Sequence, residues 1–196
     1  MSKTISGVIL AAGPSTRFGS DLPKQVAEIS GESLVHRVVR RALASRLSEV
    51  IVVVGHEAAR VRAAIGEQSV SVIENRAFAE GQSTSVRAGL TRVDASAAAA
   101  MFIPVDQPAL SEAVIDALIE AYLQTGGAIV VPSFRGERGA PVLIDRSLFA
   151  ELAVLEGDAG GRQIFSRHED QIIDLPLTTA DPLRDVDRLE DLDRFS

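Results

Sequence analysis

The chain has 196 residues, of which 46% are hydrophobic, 24% charged and 4% aromatic. This composition excludes a disordered or fibrous protein and predicts one globular domain spanning residues 1–196. A formal net charge of −7 argues against a broad nucleic-acid-binding surface, and the absence of cysteine excludes disulfides and thiolate metal sites.

The N-terminal apolar stretch gives no sign of a membrane anchor. It spans only about eight residues before a glycine loop, which is too short for a transmembrane helix and lacks the form of a signal peptide. Together with the absence of cysteine, this stretch predicts a cytoplasmic protein that binds neither membranes nor nucleic acids. Free nucleotides remain compatible with the negative net charge.

Short runs rich in valine and isoleucine alternate with segments of helical periodicity. The predicted strands lie at residues 5–12, 49–55, 70–73, 100–105, 128–132 and 171–176. The predicted helices lie at residues 32–45, 57–66, 83–93 and 111–127, and an acidic stretch at 181–195 leads into a short helix. Because the apolar runs do not alternate with polar residues, they are typical of strands buried on both faces. This order predicts a Rossmann-like α/β domain with a mostly parallel sheet flanked by helices.

The first predicted strand runs into the loop LAAGPSTRFGSDLPKQ at residues 10–25. Ligands bind at the carboxyl ends of strands in a parallel sheet, so this loop is a candidate site. Its glycines fit neither the dinucleotide-binding fingerprint nor the P-loop, which argues against nicotinamide cofactors and P-loop ATPase chemistry. Small residues at the strand end leave room for a ligand, and Ser15, Arg17 and Lys24 can contact an anion such as phosphate.

Two acidic segments offer candidate ligands for a hard cation. Asp106 directly follows the apolar run AMFIPV, which places it at the carboxyl edge of a predicted strand. The segment DVD supplies Asp185 and Asp187, whose alternation in an extended chain directs both carboxylates to one side. A helix-capping role is the alternative for Asp106, although Ser111 is better placed to cap the following helix. The three histidines lack the spacing of metal ligands.

Six segments in order cover almost the whole chain: LAAGPSTRFGSDLPK, NRAFAEGQSTSVRAGL, FIPVDQPALS, RGERGAPVLIDRSLFAEL, GDAGGRQIF and DVDRLEDL. Together they resemble the motifs of the MobA-like nucleotidyltransferases, and most closely those of the molybdenum cofactor cytidylyltransferases. The resemblance implies a nucleotidyltransferase fold of the glycosyltransferase-A-like type. It also implies transfer of CMP from CTP to the terminal phosphate of molybdopterin with release of pyrophosphate, and it allows a client molybdoenzyme as a protein partner.

The same resemblance implies roles for individual residues. Arg17, Lys24 and Asp106 would form the catalytic group, with Mg²⁺, or alternatively Mn²⁺, bound by Asp106 and Asp187. The nucleotide would contact Leu10, Ala11, Ala12, Gly13, Arg17, Lys24, Gly81, Ser85 and Asp106. Within this set, Ala12 of LAAG accompanies a preference for cytosine over guanine. The turn from Gly81 to Ser85 is predicted to begin a helix whose N-terminus can contact the base.

A separate set of residues is implied for the acceptor. Arg135, Arg138, Asp158 and Arg162 are the candidates, and the last two are predicted to lie in a lid helix. Related cytidylyltransferases have RGHP where this chain has RGAP, so Ala140 removes a polar side chain from the predicted acceptor site. Two alternatives therefore stay open. One is a different phosphorylated acceptor, for example an isoprenoid or sugar phosphate, and the other is a non-catalytic maturation factor that binds nucleotide or cofactor for a molybdoenzyme.

Overall fold

The computed structural model describes residues 3–19, 22–158 and 160–195, without the side chains of 160–162. The strands in these ranges are β1 (Ile5–Ala11), β2 (Glu28–Ile29), β3 (Glu32–Ser33), β4 (Glu49–Val54), β5 (Ser71–Glu74), β6 (Ala99–Pro104), β7 (Ile129–Phe134), β8 (Glu137–Arg138), β9 (Val142–Asp145) and β10 (Ile172–Pro176). The α-helices are α1 (Leu34–Ala44), α2 (Ala58–Ile65), α3 (Gln82–Leu90), α4 (Glu112–Thr125) and α5 (Phe149–Leu152). Shorter 3-10 helices include Lys24–Val26, Phe78–Glu80, Gly160–Arg167 and Leu189–Phe195.

One mixed sheet contains all of these strands except β2 and β3, which pair with each other as an antiparallel hairpin. The order of the sheet is β10-β7-β9-β6-β1-β4-β5, with β8 paired to β7. Its strand β1 lies parallel to β4 on one side and to β6 on the other. The predicted mostly parallel α/β sheet is therefore confirmed, and the carboxyl ends of β1 and β6 meet at one edge.

Strand β9 was not predicted from the sequence. It lies antiparallel between β6 and β7, where it separates two parallel halves of the sheet. Its sequence VLID has only four residues and ends on a charged one, which is too weak a pattern for a strand prediction. Burial explains why the strand forms. Val142, Leu143 and Ile144 are all buried, and Asp145 accepts a hydrogen bond of 2.6 Å from the Tyr122 hydroxyl group.

Helices cover both faces of the sheet, which explains the unalternated apolar runs. One face packs against α1, α2 and α4 through residues such as Ile9, Val39 and Leu118. The other face packs against α3, α5 and the 160–167 segment through residues such as Val8 and Val86. Burying a side chain of this size contributes about 1.5–3 kcal/mol of transfer free energy, so the two layers give the loops at the sheet edge a stable support.

The helix boundaries follow capping residues in the sequence. Ser33 begins α1 by accepting a hydrogen bond from the His36 amide (3.3 Å), and Ser111 begins α4 by accepting one from the Val114 amide (3.4 Å). Gly126 ends α4 with a φ of 66°, in the left-handed region that favours glycine. Among the described residues, every helix is too short or too polar to cross a membrane.

Candidate functional site

A cleft of about 430 Å³ opens at the carboxyl edge of β1 and β6. Segments that are distant in the sequence line it: the first loop, the start of α3, the end of β6, and the segments that carry Asp158 and Asp187. The predicted site residues in its lining are Leu10, Ala12, Gly13, Arg17, Lys24, Gly81, Ser85, Asp106, Asp158 and Asp187. Ala11 differs, because it is buried in the core and does not line the cleft. The fold thus brings most of the predicted site residues to one place.

A larger hollow of about 720 Å³ lies between the β2–β3 hairpin, α1 and α2. Two of its charged side chains already have partners, because Glu32 pairs with Arg37 and Arg40, and Arg60 pairs with Glu57. The smaller cleft instead collects acidic and basic groups from distant segments of the chain. Convergent polar groups identify a site better than volume does, so we place the functional site in the smaller cleft.

A buried glutamine gives the first loop its shape. Gln25 donates a hydrogen bond to the Gly13 carbonyl (2.8 Å) and accepts one from the Ser15 hydroxyl (3.1 Å). The same hydroxyl accepts a hydrogen bond from the Lys24 amide (3.1 Å). The sequence predicted that the Ser15 hydroxyl can contact an anion, but in the structure this hydroxyl closes the loop internally. Arg17 is exposed in the cleft lining, and no carboxylate of the described residues pairs with it.

Lys24 lies between two carboxylates. Its ammonium nitrogen is 2.7 Å from an Asp106 oxygen and 3.6 Å from an Asp187 oxygen. The Lys24 side chain is 13% exposed, so the pair with Asp106 is largely shielded from solvent. Asp187 comes close because the neighbouring Val186 amide donates a hydrogen bond of 2.8 Å to the Asp106 carbonyl. The two predicted metal ligands are therefore neighbours, with Lys24 as their shared counter-ion.

Asp185 belongs to the same extended segment but makes a different contact. The side-chain amide of Gln107, a buried residue that the sequence did not single out, donates to an Asp185 oxygen (3.0 Å). Desolvation of the carboxyl group raises the pKa of Asp185, and the negative charges of Asp106 and Asp187 raise it further. This end of the cleft therefore concentrates three acidic groups around the Lys24 ammonium, which disfavours the folded state and favours binding of a cation.

The donor set at this end of the cleft fits a hard divalent cation. Asp106 and Asp187 offer carboxylate oxygens, and Mg²⁺ is commonly bound by one or two carboxylates together with substrate phosphates and water. Among the described residues, no group of three histidine, cysteine or acidic side chains forms a complete metal cage. A cation here would therefore take its remaining ligands from a bound phosphate and from water.

The start of α3 forms a second wall of the cleft. Gly81 has a φ of 120°, and a side chain there would meet the backbone of Gly157 at 2.6 Å. The Gly157 carbonyl accepts a hydrogen bond from the Ser83 amide (3.1 Å), which holds the segment carrying Asp158 against the helix. Ser85 lines the cleft one turn further along α3. Glycine at position 81 is thus required by the close approach of the 157–158 segment.

Asn75, which the sequence did not single out, organises this wall. It follows β5 and is only 6% exposed. Its side-chain nitrogen lies 2.8 Å from the Thr84 hydroxyl and 3.0 Å from the Ser85 hydroxyl, and its side-chain oxygen accepts from the Ala77 amide at 3.0 Å. A polar residue directly after a predicted strand is the signal that could have identified it from the sequence.

The fold separates the residues predicted to bind the acceptor. Asp158 lines the cleft. Arg135 does not, because it lies in the turn between β7 and β8, with its guanidinium carbon 5.1 Å from the centre of the Phe134 ring. The side chain of Arg162 is outside the described residues, and its backbone belongs to the 3-10 helix Gly160–Arg167, where a lid helix was predicted.

Arg138 forms an ion-pair network on the same hairpin, outside the cleft lining. Its guanidinium group donates to both carboxylate oxygens of Asp174 (2.7 and 2.9 Å) and pairs with Glu169 at 2.8 Å. The hydrogen bonds to Asp174 raise the pKa of Arg138, and the pair with Glu169 adds to the rise. The network ties β8 to β10 and argues against the prediction that Arg138 binds the acceptor.

Known proteins are similar to this chain over nearly all of its length. Residues 7–172 match the family described as the MobA-like NTP transferase domain. Nicotine blue oxidoreductase of Paenarthrobacter nicotinovorans is 30% identical, over 97% of this chain and 96% of its own length. Bifunctional protein GlmU of Carboxydothermus hydrogenoformans is 29% identical over 65% of this chain, and the chain spans only 28% of that relative.

Solved structures share the architecture. Rv0371c from Mycobacterium tuberculosis H37Rv has a TM-score of 0.85 and 28% identity, over 99% of this chain and 98% of that chain. Rv0371c has also been solved in complex with manganese, and that structure has a TM-score of 0.74 and 27% identity over 89% of each chain. The fold described above is therefore shared by other proteins along nearly the whole of their chains.

Proposed function

This chain belongs to the family of MobA-like NTP transferase domains. From that premise we propose that it is a nucleotidyltransferase and that it transfers CMP from CTP to the terminal phosphate of molybdopterin. The products would be molybdopterin cytosine dinucleotide and pyrophosphate, with Mg²⁺ as the cofactor and Mn²⁺ as a substitute. The observation that carries the proposal is the grouping of Lys24, Asp106 and Asp187 in one cleft with the first loop and the start of α3.

Arg17 and Lys24 are the proposed contacts to the triphosphate. The exposed guanidinium group of Arg17 can bind two phosphate oxygens at once, whereas the Lys24 ammonium acts as a compact point charge. Without nucleotide, Asp106 is the main partner of Lys24. Binding therefore exchanges one anionic partner of this ammonium for another and does not leave it unpaired.

Asp106 and Asp187 are the proposed ligands of the divalent cation. When bound, such a cation neutralises the phosphates of both substrates and stabilises the leaving pyrophosphate. The chain holds its two carboxylates together through Lys24 and through the hydrogen bond from the Val186 amide to the Asp106 carbonyl. The manganese complex of Rv0371c supports a divalent metal in a protein of this fold.

The proposed reaction needs no covalent intermediate with the protein. An oxygen of the molybdopterin phosphate forms a bond to the α-phosphorus of CTP, and the bond from that phosphorus to the oxygen bridging to the β-phosphate breaks. Pyrophosphate leaves opposite the attacking oxygen, so the task of the protein is positioning and charge neutralisation. Arg17 and Lys24 would stabilise the charge that develops on the leaving group.

The end of β1 is the proposed floor of the base subsite. Gly55 packs so closely here that a side chain on it would lie 2.8 Å from the Ala12 β-carbon, and the Ala12 carbonyl accepts a hydrogen bond from the His56 amide (3.1 Å). These contacts hold Ala12 and the cleft-lining Leu10 and Gly13 where a planar base can approach the backbone. The preference for cytosine rests on the resemblance of the LAAG segment to that of cytidylyltransferases.

A different phosphorylated acceptor, such as an isoprenoid or sugar phosphate, is the second candidate. Two observations favour it: Ala140 has no polar side chain, and Arg138 is engaged by Asp174 and Glu169. The nucleotide half of the site would be the same for either acceptor. A maturation factor that binds nucleotide for a client molybdoenzyme is the alternative without turnover.

Pyrophosphate release distinguishes these functions. The purified protein is incubated with Mg²⁺, molybdopterin and each of the four ribonucleoside triphosphates in turn, and pyrophosphate is measured. We expect release with CTP and molybdopterin together. Release only when another phosphorylated acceptor replaces molybdopterin would support the second candidate. Binding of CTP without release from any acceptor would contradict an enzyme and support the maturation factor.

A further inference from the structure

The hydrogen bonds of Asn75 bear on nucleotide selection. We infer that Asn75 is a positioning residue that makes the Ser85 hydroxyl a hydrogen-bond donor towards the bound base. This inference rests on the proposed function, because it requires a nucleoside triphosphate in the cleft beside Ser85. According to this inference, the preferred base places an unprotonated ring nitrogen next to the Ser85 hydroxyl. Cytosine has one on its pairing edge, whereas uracil carries an N–H group at the same ring position.

The orientation of the Asn75 side chain is fixed by its neighbours. The Ala77 backbone N–H can only donate, so the Asn75 atom 3.0 Å from it must be the amide oxygen. The other end is then the NH₂ group, which lies 2.8 Å from the Thr84 hydroxyl and 3.0 Å from the Ser85 hydroxyl. An NH₂ group has two protons, so Asn75 donates to both hydroxyl groups at once.

This contact decides the role of the Ser85 hydroxyl. A hydroxyl group has one proton, and because Asn75 donates to its oxygen, the proton must point to a different acceptor. The described residues provide no second hydrogen-bond partner for the Ser85 hydroxyl, whereas the Thr84 hydroxyl donates to the Gly81 carbonyl at 2.8 Å. Ser85 is 6% exposed and lines the cleft. Its proton is therefore available to a ligand atom in the cleft.

Because the site is buried, a donor at Ser85 selects between bases that accept and bases that donate a hydrogen bond. Asn75, Thr84 and Ser85 are all nearly inaccessible to water, so a donor that faces another donor here is not rescued by solvent. A base with an N–H group at this point would leave both that group and the Ser85 proton without a partner. Sites that are built to hydrogen-bond one pattern reject the reversed pattern strongly.

The substitution Asn75→Asp should change the Ser85 hydroxyl from a hydrogen-bond donor to an acceptor on the side of the cleft. One carboxylate oxygen still accepts from the Ala77 amide, but the other can only accept, so the Thr84 and Ser85 hydroxyls must donate to it. The Ser85 proton then turns away from the cleft, and a lone pair faces the base. We expect the preference for CTP over UTP, taken as a ratio of Kd values with Mg²⁺ by isothermal titration calorimetry, to fall about tenfold or more. The added charge repels both triphosphates equally and cancels in the ratio.

Further variants separate positioning from general damage. Ser85→Ala should weaken the preference, and in that background Asn75→Asp should leave the ratio unchanged, because its effect acts through Ser85. Thr84→Val removes the other hydroxyl that Asn75 contacts and should keep the wild-type ratio. Thermal unfolding of each variant reports whether it is folded. If Asn75→Asp does not fold, Asn75→Ala replaces it, with a preference that falls towards one without reversing.

The outcomes are distinguishable from those of the proposed function. An unchanged ratio in the folded Asn75 variant, or a wild-type protein that binds CTP and UTP equally, would overturn the inference. A wild-type protein that binds neither nucleotide would contradict the proposed function and the inference with it. A clear CTP preference that depends on Asn75, without pyrophosphate release, would support the inference and count against the proposed reaction alone.

Discussion

Lys24 in the cleft and Arg138 on the β7–β8 hairpin each contact two carboxylates, but the two clusters differ in how well their charges are matched. Arg138 makes three short contacts, two to Asp174 and one to Glu169. Lys24 makes one short and one long contact, and Asp185 adds a third acidic group whose pKa is raised. An excess of like charge is retained where a ligand can compensate for it, so the imbalance favours the Lys24 cluster as the proposed functional site.

The largest effect is expected for Asp106→Asn in the cleft. This variant removes a proposed metal ligand, and kcat for pyrophosphate release should fall by about 10²- to 10³-fold. The melting temperature should stay near that of the wild type, because an asparagine oxygen can still accept from Lys24. Asp174→Asn on the hairpin is the matched control and should keep kcat within about twofold of the wild type, because Asp174 lies outside the cleft lining. A larger loss of kcat in Asp174→Asn than in Asp106→Asn would contradict the placement of the functional site at the Lys24 cluster.

A smaller effect is expected when a basic side chain of each region is replaced. Arg17→Gln should raise KM for the nucleotide by about tenfold, because it removes a charged hydrogen-bond donor from the triphosphate. Arg138→Gln should leave both substrate KM values within about twofold and lower the melting temperature by a few degrees, since it breaks partly exposed ion pairs. Steady-state kinetics and thermal unfolding of the two variants test the contrast. A raised acceptor KM in Arg138→Gln would restore its predicted role in acceptor binding.

The smallest effect is expected for Asp185→Asn. Because the pKa of Asp185 is raised in the folded state, its ionisation disfavours folding as the pH rises through that pKa. The asparagine variant should therefore melt higher at pH 7 by only about 1–2 °C, since the exposed surface of Asp185 screens the repulsion. The gain should disappear as the pH falls below the unfolded-state pKa of about 3.9, because the carboxyl group is then protonated in both the folded and the unfolded state. A stabilisation that persists at low pH would show that charge is not its cause.

Most strands and helices could be predicted from the sequence, because their signals are local. The run at 49–55 is continuously apolar after Glu49 and forms β4, and Ser111 and Gly126 delimit α4 at the predicted ends. By contrast, β9 carries four residues of weak pattern, and its place between β6 and β7 is decided by packing against both neighbours. No local signal contains that information.

The site could be predicted only where a residue type and a strand end coincide. Asp106 was found in this way, Lys24 was found in the loop that follows the first strand, and the resemblance to a family selected Asp187 from the two aspartates of the DVD segment. The roles of Gln25, Asn75 and Gln107 were not predicted, because they depend on partners that are remote or on another element. Their burial is a property of the folded chain and cannot be inferred from spacing.

The hydrogen bond between the Val186 amide and the Asp106 carbonyl also determines when the site is complete during refolding. Contacts between such distant positions close a long loop and form late, whereas helices, whose contacts are local, form early. Activity should therefore return more slowly than the far-ultraviolet circular dichroism signal after dilution from denaturant.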